Sequence, residues 1–203
     1  IVLVKVREAD WAKILKVKLG RGEAEDKRMI TLIRSLSDKP IYVDANQGWP
    51  TKEHALMMCQ WLAEQGVVMI EQPMPKQMNE EHAWLCERVE LPILADEACQ
   101  TYDDVERLAP YYDGINIKLM KCGGLAEGRK MITLARELGM QVMVGCMTET
   151  RAGISAATVL SPLVDYADLD GHVLLANDPY EGIQLVDGKL RLVKKPGTGV
   201  TPL

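Results

Sequence analysis

Lys18, Asp44, Glu71, Asp96 and Lys118 each fall at or near the end of an apolar run: ILKVK, IYVDAN, VVMIEQP, PILADE and INIKLM. The intervals between them are 26, 27, 25 and 22 residues. Each interval has room for one strand, one helix and two short loops. Apolar strands alternating with amphipathic helices specify a parallel sheet covered by helices. In a closed (β/α) barrel, polar groups that end successive strands converge on the C-terminal face. The spacing therefore sets a lysine, three carboxylates and a second lysine around one ring. Three carboxylates flanked by two amines read as a divalent-cation site with proton-transfer groups beside it.

The predicted fold class is α/β, a TIM-type barrel. Helices are expected over 26–36, 51–64, 80–88, 103–108, 126–138 and 152–160, with a further one in residues 1–12. Thr51 is the N-cap of the second, Gly66 its stop, and Asp38-Lys39-Pro40 ends the first. With QVMVGCM and DYADLDG the strands number seven. At 203 residues the chain is also short of the about 250 typical of a whole barrel. The expectation is a truncated barrel that starts at the helix after strand one, with residues 1–172 as the barrel domain (helix 1 and strands 2–8). Residues 173–203 change pattern: Asp187-Gly188 between alternating segments predicts a hairpin.

A net charge of −5 with no basic stripe argues against nucleic acid as a partner. No apolar stretch approaches the roughly 20 residues of a membrane span, and IVLVKVREAD is too short and charged for a signal peptide. Five scattered cysteines without a Cys-x-x-Cys pair fit a reduced cytoplasm. Homo-oligomerisation is left open by the sequence.

Lys16 and Lys18 lie two apart on a strand and share a face. Two cations held that close disfavour charge on one of them, as a carbon-acid base requires. A lone Lys-x-Lys would more often be a solvated pair, but here the neighbouring strands carry carboxylates at matching height. Asp44, Glu71 and Asp96 are hard oxygen donors suited to Mg²⁺. Any one alone could be a helix N-cap, yet all three end strands in series. His54, His82 and His172 fall outside this register, which argues against zinc, and His54 and His82 read as surface groups. Asp168 and Asp170 stand two apart at the last strand end and suit a cationic substrate group, although a solvated loop or a second metal would leave the same pattern. Gly123-Gly124 lacks the Gly-Lys-Ser/Thr of a phosphate loop and reads as a plain strand-to-helix turn.

In order and spacing, Lys16-Val17-Lys18, the DANQGW, IEQPMP and ADE segments and NIKLMKCGG resemble the enolase superfamily. The likeness is to its muconate cycloisomerase subgroup, and within that to dipeptide epimerases of the L-Ala-D/L-Glu type. GCMTET at 145–150 and Asp168-Leu169-Asp170 point to the epimerases. The resemblance implies Mg²⁺ on Asp44, Glu71 and Asp96, and Lys18 and Lys118 as opposed bases that move an α-proton through an enediolate. It further implies that Lys16 tunes Lys18, that Asp168, Asp170, Met147 and Thr148 contact a dipeptide, and that Asn46 and Glu97 support the metal ligands. It also implies an N-terminal α+β capping domain, absent here with strand one, towards which residues 173–203 return. Cycloisomerase or o-succinylbenzoate synthase chemistry would use the same lysines and metal, but its substrates lack an ammonium. Acid-sugar dehydratases need a histidine that QVMVGCMTET does not offer, and a non-catalytic binding module is the remaining alternative.

Overall fold

The structure, a computed structural model, describes residues 2–203. The chain packs as two compact units. The first runs to Ala98 and takes in Pro110–Asp113; the second holds Cys99–Ala109 and Gly114–Leu203.

In the first unit α1 (Val2–Glu8) leads to β1 (Leu15–Lys18), α2 (Glu23–Arg34), β2 (Ile41–Asp44), α3 (Lys52–Glu64), β3 (Val67–Glu71), α4 (Asn79–Cys86) and β4 (Ile93–Ala95). The four strands are parallel and lie in sequence order. Every residue of β2 is buried, as expected for a strand covered on both faces. The predicted cap of α3 is present: the Thr51 hydroxyl accepts from the His54 backbone N–H at 3.2 Å. Gly66, at φ 72, follows its C-terminus. Ala55, Met58, Cys59 and Leu62 form the buried stripe of α3, the i, i+3, i+4, i+7 pattern of an amphipathic helix.

The second unit contains α5 (Tyr102–Leu108), β5 (Gly114–Lys118), α6 (Leu119–Cys122), α7 (Leu125–Glu137), β6 (Gln141–Gly145), α8 (Arg151–Thr158) and β7 (Tyr166–Asp168). β5, β6 and β7 are parallel neighbours. Val144, Ile154, Ala157, Leu169 and Ile183 form a core cluster there. β9 (Gln184–Val186) and β10 (Lys189–Arg191) form the predicted hairpin. Asp187 and Gly188 have φ of 51° and 69°, the pair of left-handed residues a type I′ turn requires. The short β8 (Tyr180–Glu181) and β11 (Thr201–Pro202) also pair antiparallel.

Three local expectations need correction. α2 starts three residues earlier than predicted. Asp26, inside its first turns, is buried and accepts from the Gly20 and Arg21 backbone N–H groups at 2.9 and 3.1 Å, and from Trp49 Nε1 at 3.4 Å. The plain turn after β5 is instead the single helical turn α6, because nothing breaks the helix before Gly123, which ends it at φ 90.

The third correction is His82, which is fully buried rather than a surface group. Its ring stacks on Tyr112 at 4.5 Å between centroids, and Nδ1 is 2.6 Å from the Met78 carbonyl. His54 is half-buried. Burial pulls the His82 pKa down to about 4, against 6.5 for an ordinary histidine. A depressed folded-state pKa contributes stability that is present above about 6.5 and is lost as pH falls from there towards 4, because only the unfolded chain takes up the proton. The loss should approach the order of 3 kcal/mol at one proton per unfolding event. Denaturant titrations of His82→Phe should show a shallower fall in stability across that window than the parent. Parallel pH profiles would contradict this assignment.

No helix among the described residues is long and apolar enough to cross a membrane. No disulfide forms among the described residues.

Candidate active site

Parallel pairing builds the site in the first unit. Lys18 is in register with Asp44, and Asp44 with Glu71. The next pair is staggered: Glu71 lies beside Leu94. Asp96, two residues beyond Leu94 and just past the end of β4, keeps the same parity and the same face. Such stagger is the shear that accompanies strand tilt in barrels.

The result is one cluster. Ligand oxygens of Asp44, Glu71 and Asp96 all lie within 4.8 Å of one another, and all three side chains are buried. Lys16 Nζ is 2.8 Å from Glu71 Oε2 and 3.5 Å from Asp44 Oδ2. Lys18 Nζ, more exposed, donates to Asp44 Oδ2 and Asn46 Oδ1 at 3.3 Å each. Asn46 also donates from its backbone N–H to Asp44 Oδ1 at 3.0 Å and from Nδ2 to Glu97 Oε1 at 3.4 Å. Thus Lys16, Lys18, Asp44, Asn46, Glu71, Asp96 and Glu97 are brought together.

The loop bearing Asn46 is set by close backbone approach. A Cβ on Gly48 would lie 2.3 Å from the Gly20 Cα, so the loops that follow β1 and β2 touch there without side chains. Asn46 and Gln47 adopt φ of 45° and 64°, the left-handed region that Asn tolerates better than most residues.

Burial raises the Glu71 pKa to about 7; the Lys16 ammonium opposes this, and the Asp44 and Asp96 charges add to it. Three carboxylates beside Lys16 and Lys18, in little water, form a set that a divalent cation satisfies. All three donors are hard oxygens, and the residues fit Mg²⁺ better than a softer metal.

The second unit carries the remaining predicted residues. Lys118 ends β5 and is buried; Asp168 ends β7 and is half-buried; Asp170 is exposed and precedes a 3₁₀ turn, Gly171–Leu174. Met147 and Thr148 are exposed in the loop after β6. That loop is held against the end of β7, for a Cβ on Gly171 would meet the Met147 carbonyl at 2.1 Å and Cys146 Sγ at 3.0 Å. Burial, with the Asp168 charge and then Asp170 and Glu149 adding to it, pushes the Cys146 thiol up to about 12. Asp168, Asp170 and Glu149 therefore all lie near Cys146.

Gln72 was missed by the sequence reading. It is fully buried directly after Glu71, and a polar residue between a strand-ending glutamate and a proline was its only signal.

The chain spans about half the length of the curated relatives it matches. It is 54% identical over 201 residues to an L-Ala-D/L-Glu epimerase of Bacteroides thetaiotaomicron, covering 98% of this chain and 52% of that protein. The solved structure of a substrate-liganded L-Ala-D/L-Glu epimerase from Bacillus subtilis superposes with a TM-score of 0.90 at 28% identity, over 98% of this chain and 58% of that one. A dipeptide epimerase from Methylococcus capsulatus, solved with a Mg ion, gives a TM-score of 0.91 at 34% identity, over 100% of this chain and 61% of its own. The seven parallel strands therefore have the fold of the C-terminal (β/α) barrel domain of enolase superfamily members. The profile described as enolase C-terminal domain-like matches residues 3–203, and the chain belongs to that family.

Proposed function

We propose that this protein is a Mg²⁺-dependent dipeptide epimerase of the L-Ala-D/L-Glu type. The observation that carries the reading is the buried Asp44, Glu71 and Asp96 cluster with Lys16 and Lys18 against it. The likeness to named epimerases supports the substrate class.

In this reading Asp44, Glu71 and Asp96 hold the metal. Bound Mg²⁺ supplies Lewis-acid stabilisation of the negative charge that develops on the substrate carboxylate as the α-proton leaves. Lys18, as a neutral amine, takes the α-proton from one face, and the Lys118 ammonium returns a proton to the other, inverting the centre. The reverse reaction exchanges the roles. Asn46 orients Lys18 through its side-chain oxygen, and Lys16, paired with Glu71 and Asp44, supports Lys18 from the same strand. Glu97 steadies Asn46. Asp168 and Asp170 receive the dipeptide ammonium, with Met147 and Thr148 flanking it.

The test uses full-length protein, Mg²⁺ and L-Ala-L-Glu, with NMR following the appearance of L-Ala-D-Glu. A protein that binds Mg²⁺ yet leaves every dipeptide unchanged would contradict the reading. Replacing both Asp168 and Asp170 by Asn forfeits charge-assisted hydrogen bonds worth roughly 1.5–3 kcal/mol each. The expected result is a loss in kcat/KM of about 100-fold or more on the dipeptide, and a much smaller loss on its N-acetyl analogue. Equal losses on both would rule out an ammonium clamp and favour a substrate of the cycloisomerase kind.

A further inference from the structure

Gln72 holds a position in the first unit that packing alone does not require. Its side-chain oxygen accepts from the Asp96 backbone N–H at 3.0 Å and from the Ala98 N–H at 3.1 Å. Its Nε2 donates to the Met74 carbonyl at 3.2 Å and to Tyr112 Oη at 3.0 Å. A backbone N–H can only donate and a carbonyl can only accept, so these partners fix the amide's orientation without ambiguity. Both acceptor and both donor positions of the amide are filled.

The main chain of Gln72 is tied in as well. Its N–H donates to the Leu94 carbonyl at 2.9 Å, and its carbonyl accepts from the Gln47 N–H at 2.8 Å. One residue thus joins the ends of β2, β3 and β4, the three strands that present Asp44, Glu71 and Asp96. It does so from φ 39°, a left-handed conformation that costs a non-glycine residue energy. Behind it the Tyr112 ring stacks on the buried His82. Asp96 lies just past the last residue of β4, and there its backbone N–H is held by the Gln72 side chain.

We propose that Gln72 is a positioning residue: by holding the Asp96 and Ala98 backbone N–H groups it presets the Asp96 carboxylate for the cation. The inference rests on the metal reading of Asp44, Glu71 and Asp96. Glu71 precedes Gln72 directly, so the main-chain bonds of Gln72 to Leu94 and Gln47 also tie down the residue next to the second ligand.

The test combines Mg²⁺ calorimetry with amide hydrogen exchange on the metal-free protein. Gln72→Met keeps the length of the side chain and removes all four of its hydrogen bonds. The Asp96 and Ala98 amides should lose protection, and Mg²⁺ affinity should fall about 10-fold or more, the range seen when an outer partner of a metal ligand is lost. Ile30→Val, a truncation in the core beneath α2, controls for lost stability and should leave affinity unchanged. Should Gln72→Met fail to fold, Tyr112→Phe removes a single partner of the amide and should still lower affinity, by less than loss of the whole amide would. Unchanged Mg²⁺ affinity in the folded Gln72 variant, or in Tyr112→Phe where that stands in for it, would overturn the inference, with or without faster exchange. If Asp96→Asn also leaves Mg²⁺ affinity at the parent value, the metal reading itself falls, and the inference with it.

Discussion

Changing Asp96 to Asn is expected to lower Mg²⁺ affinity by at least about 100-fold while leaving the metal-free protein as stable as the parent, or more so. Both parts follow from the same geometry. Three buried carboxylates have oxygens within 4.8 Å of one another, and burial together with its two acidic neighbours lifts the Glu71 pKa to about 7 against the pull of Lys16. Removing the Asp96 charge relieves that repulsion, and Asn fills the same volume, so no cavity is left. In the proposed site the same change removes a charged ligand, a larger loss than the 10–100-fold that follows deletion of an outer partner. At a Mg²⁺ concentration of 100 times the dissociation constant, binding stabilises the parent by about 2.7 kcal/mol. Nearly all of that should vanish in the variant. Thermal melts with and without Mg²⁺, beside calorimetric titration, read both signs. A variant that loses stability without metal and keeps its affinity would mark Asp96 as a structural group.

The other large effect concerns the two lysines. Replacing Lys18 or Lys118 by Met in the full-length protein should abolish epimerisation, a loss of about 10³-fold or more. One proton-transfer group typically contributes 10²–10⁴, and in the proposed two-base reaction inversion needs both. Lys18 is exposed and reaches the buried Asp44 carboxylate only at 3.3 Å, a long and solvent-screened ion pair, so its removal should change stability by no more than about 1 kcal/mol. Lys118 is buried at the end of β5, and Met preserves most of its packing. Mg²⁺ affinity should survive both changes. That separates loss of a base from loss of the metal site.

The features legible in the sequence were those written locally. Short apolar runs closed by a charged residue became strands because both faces of a parallel strand are covered, and the charge falls where the strand leaves the core. Thr51 and Gly66 punctuate α3, and Asp187-Gly188 makes the hairpin, since caps and turns depend on the few residues that form them. Distant partners were not legible. Gln72 meets Asp96, Ala98 and Tyr112, which are 24, 26 and 40 positions away. His82 was misjudged because the eight residues of α4 give a weak periodic signal, and its cover is the Tyr112 ring. The stagger that sets Glu71 beside Leu94 has no local cause in either strand, so the sequence showed three carboxylates in series but not how Asp96 comes level with the others.

Deuterium incorporation tests the proposed two-base reaction most directly. With Mg²⁺ in D₂O, full-length Lys18→Met and Lys118→Met are each incubated with L-Ala-L-Glu and with L-Ala-D-Glu, and NMR follows the α-proton of the glutamate residue. Each variant should exchange the α-proton of one stereoisomer and spare the other, the two variants choosing opposite isomers, with neither converting one into the other. If both variants exchanged both stereoisomers at the parent rate, Lys18 and Lys118 would not be the opposed bases.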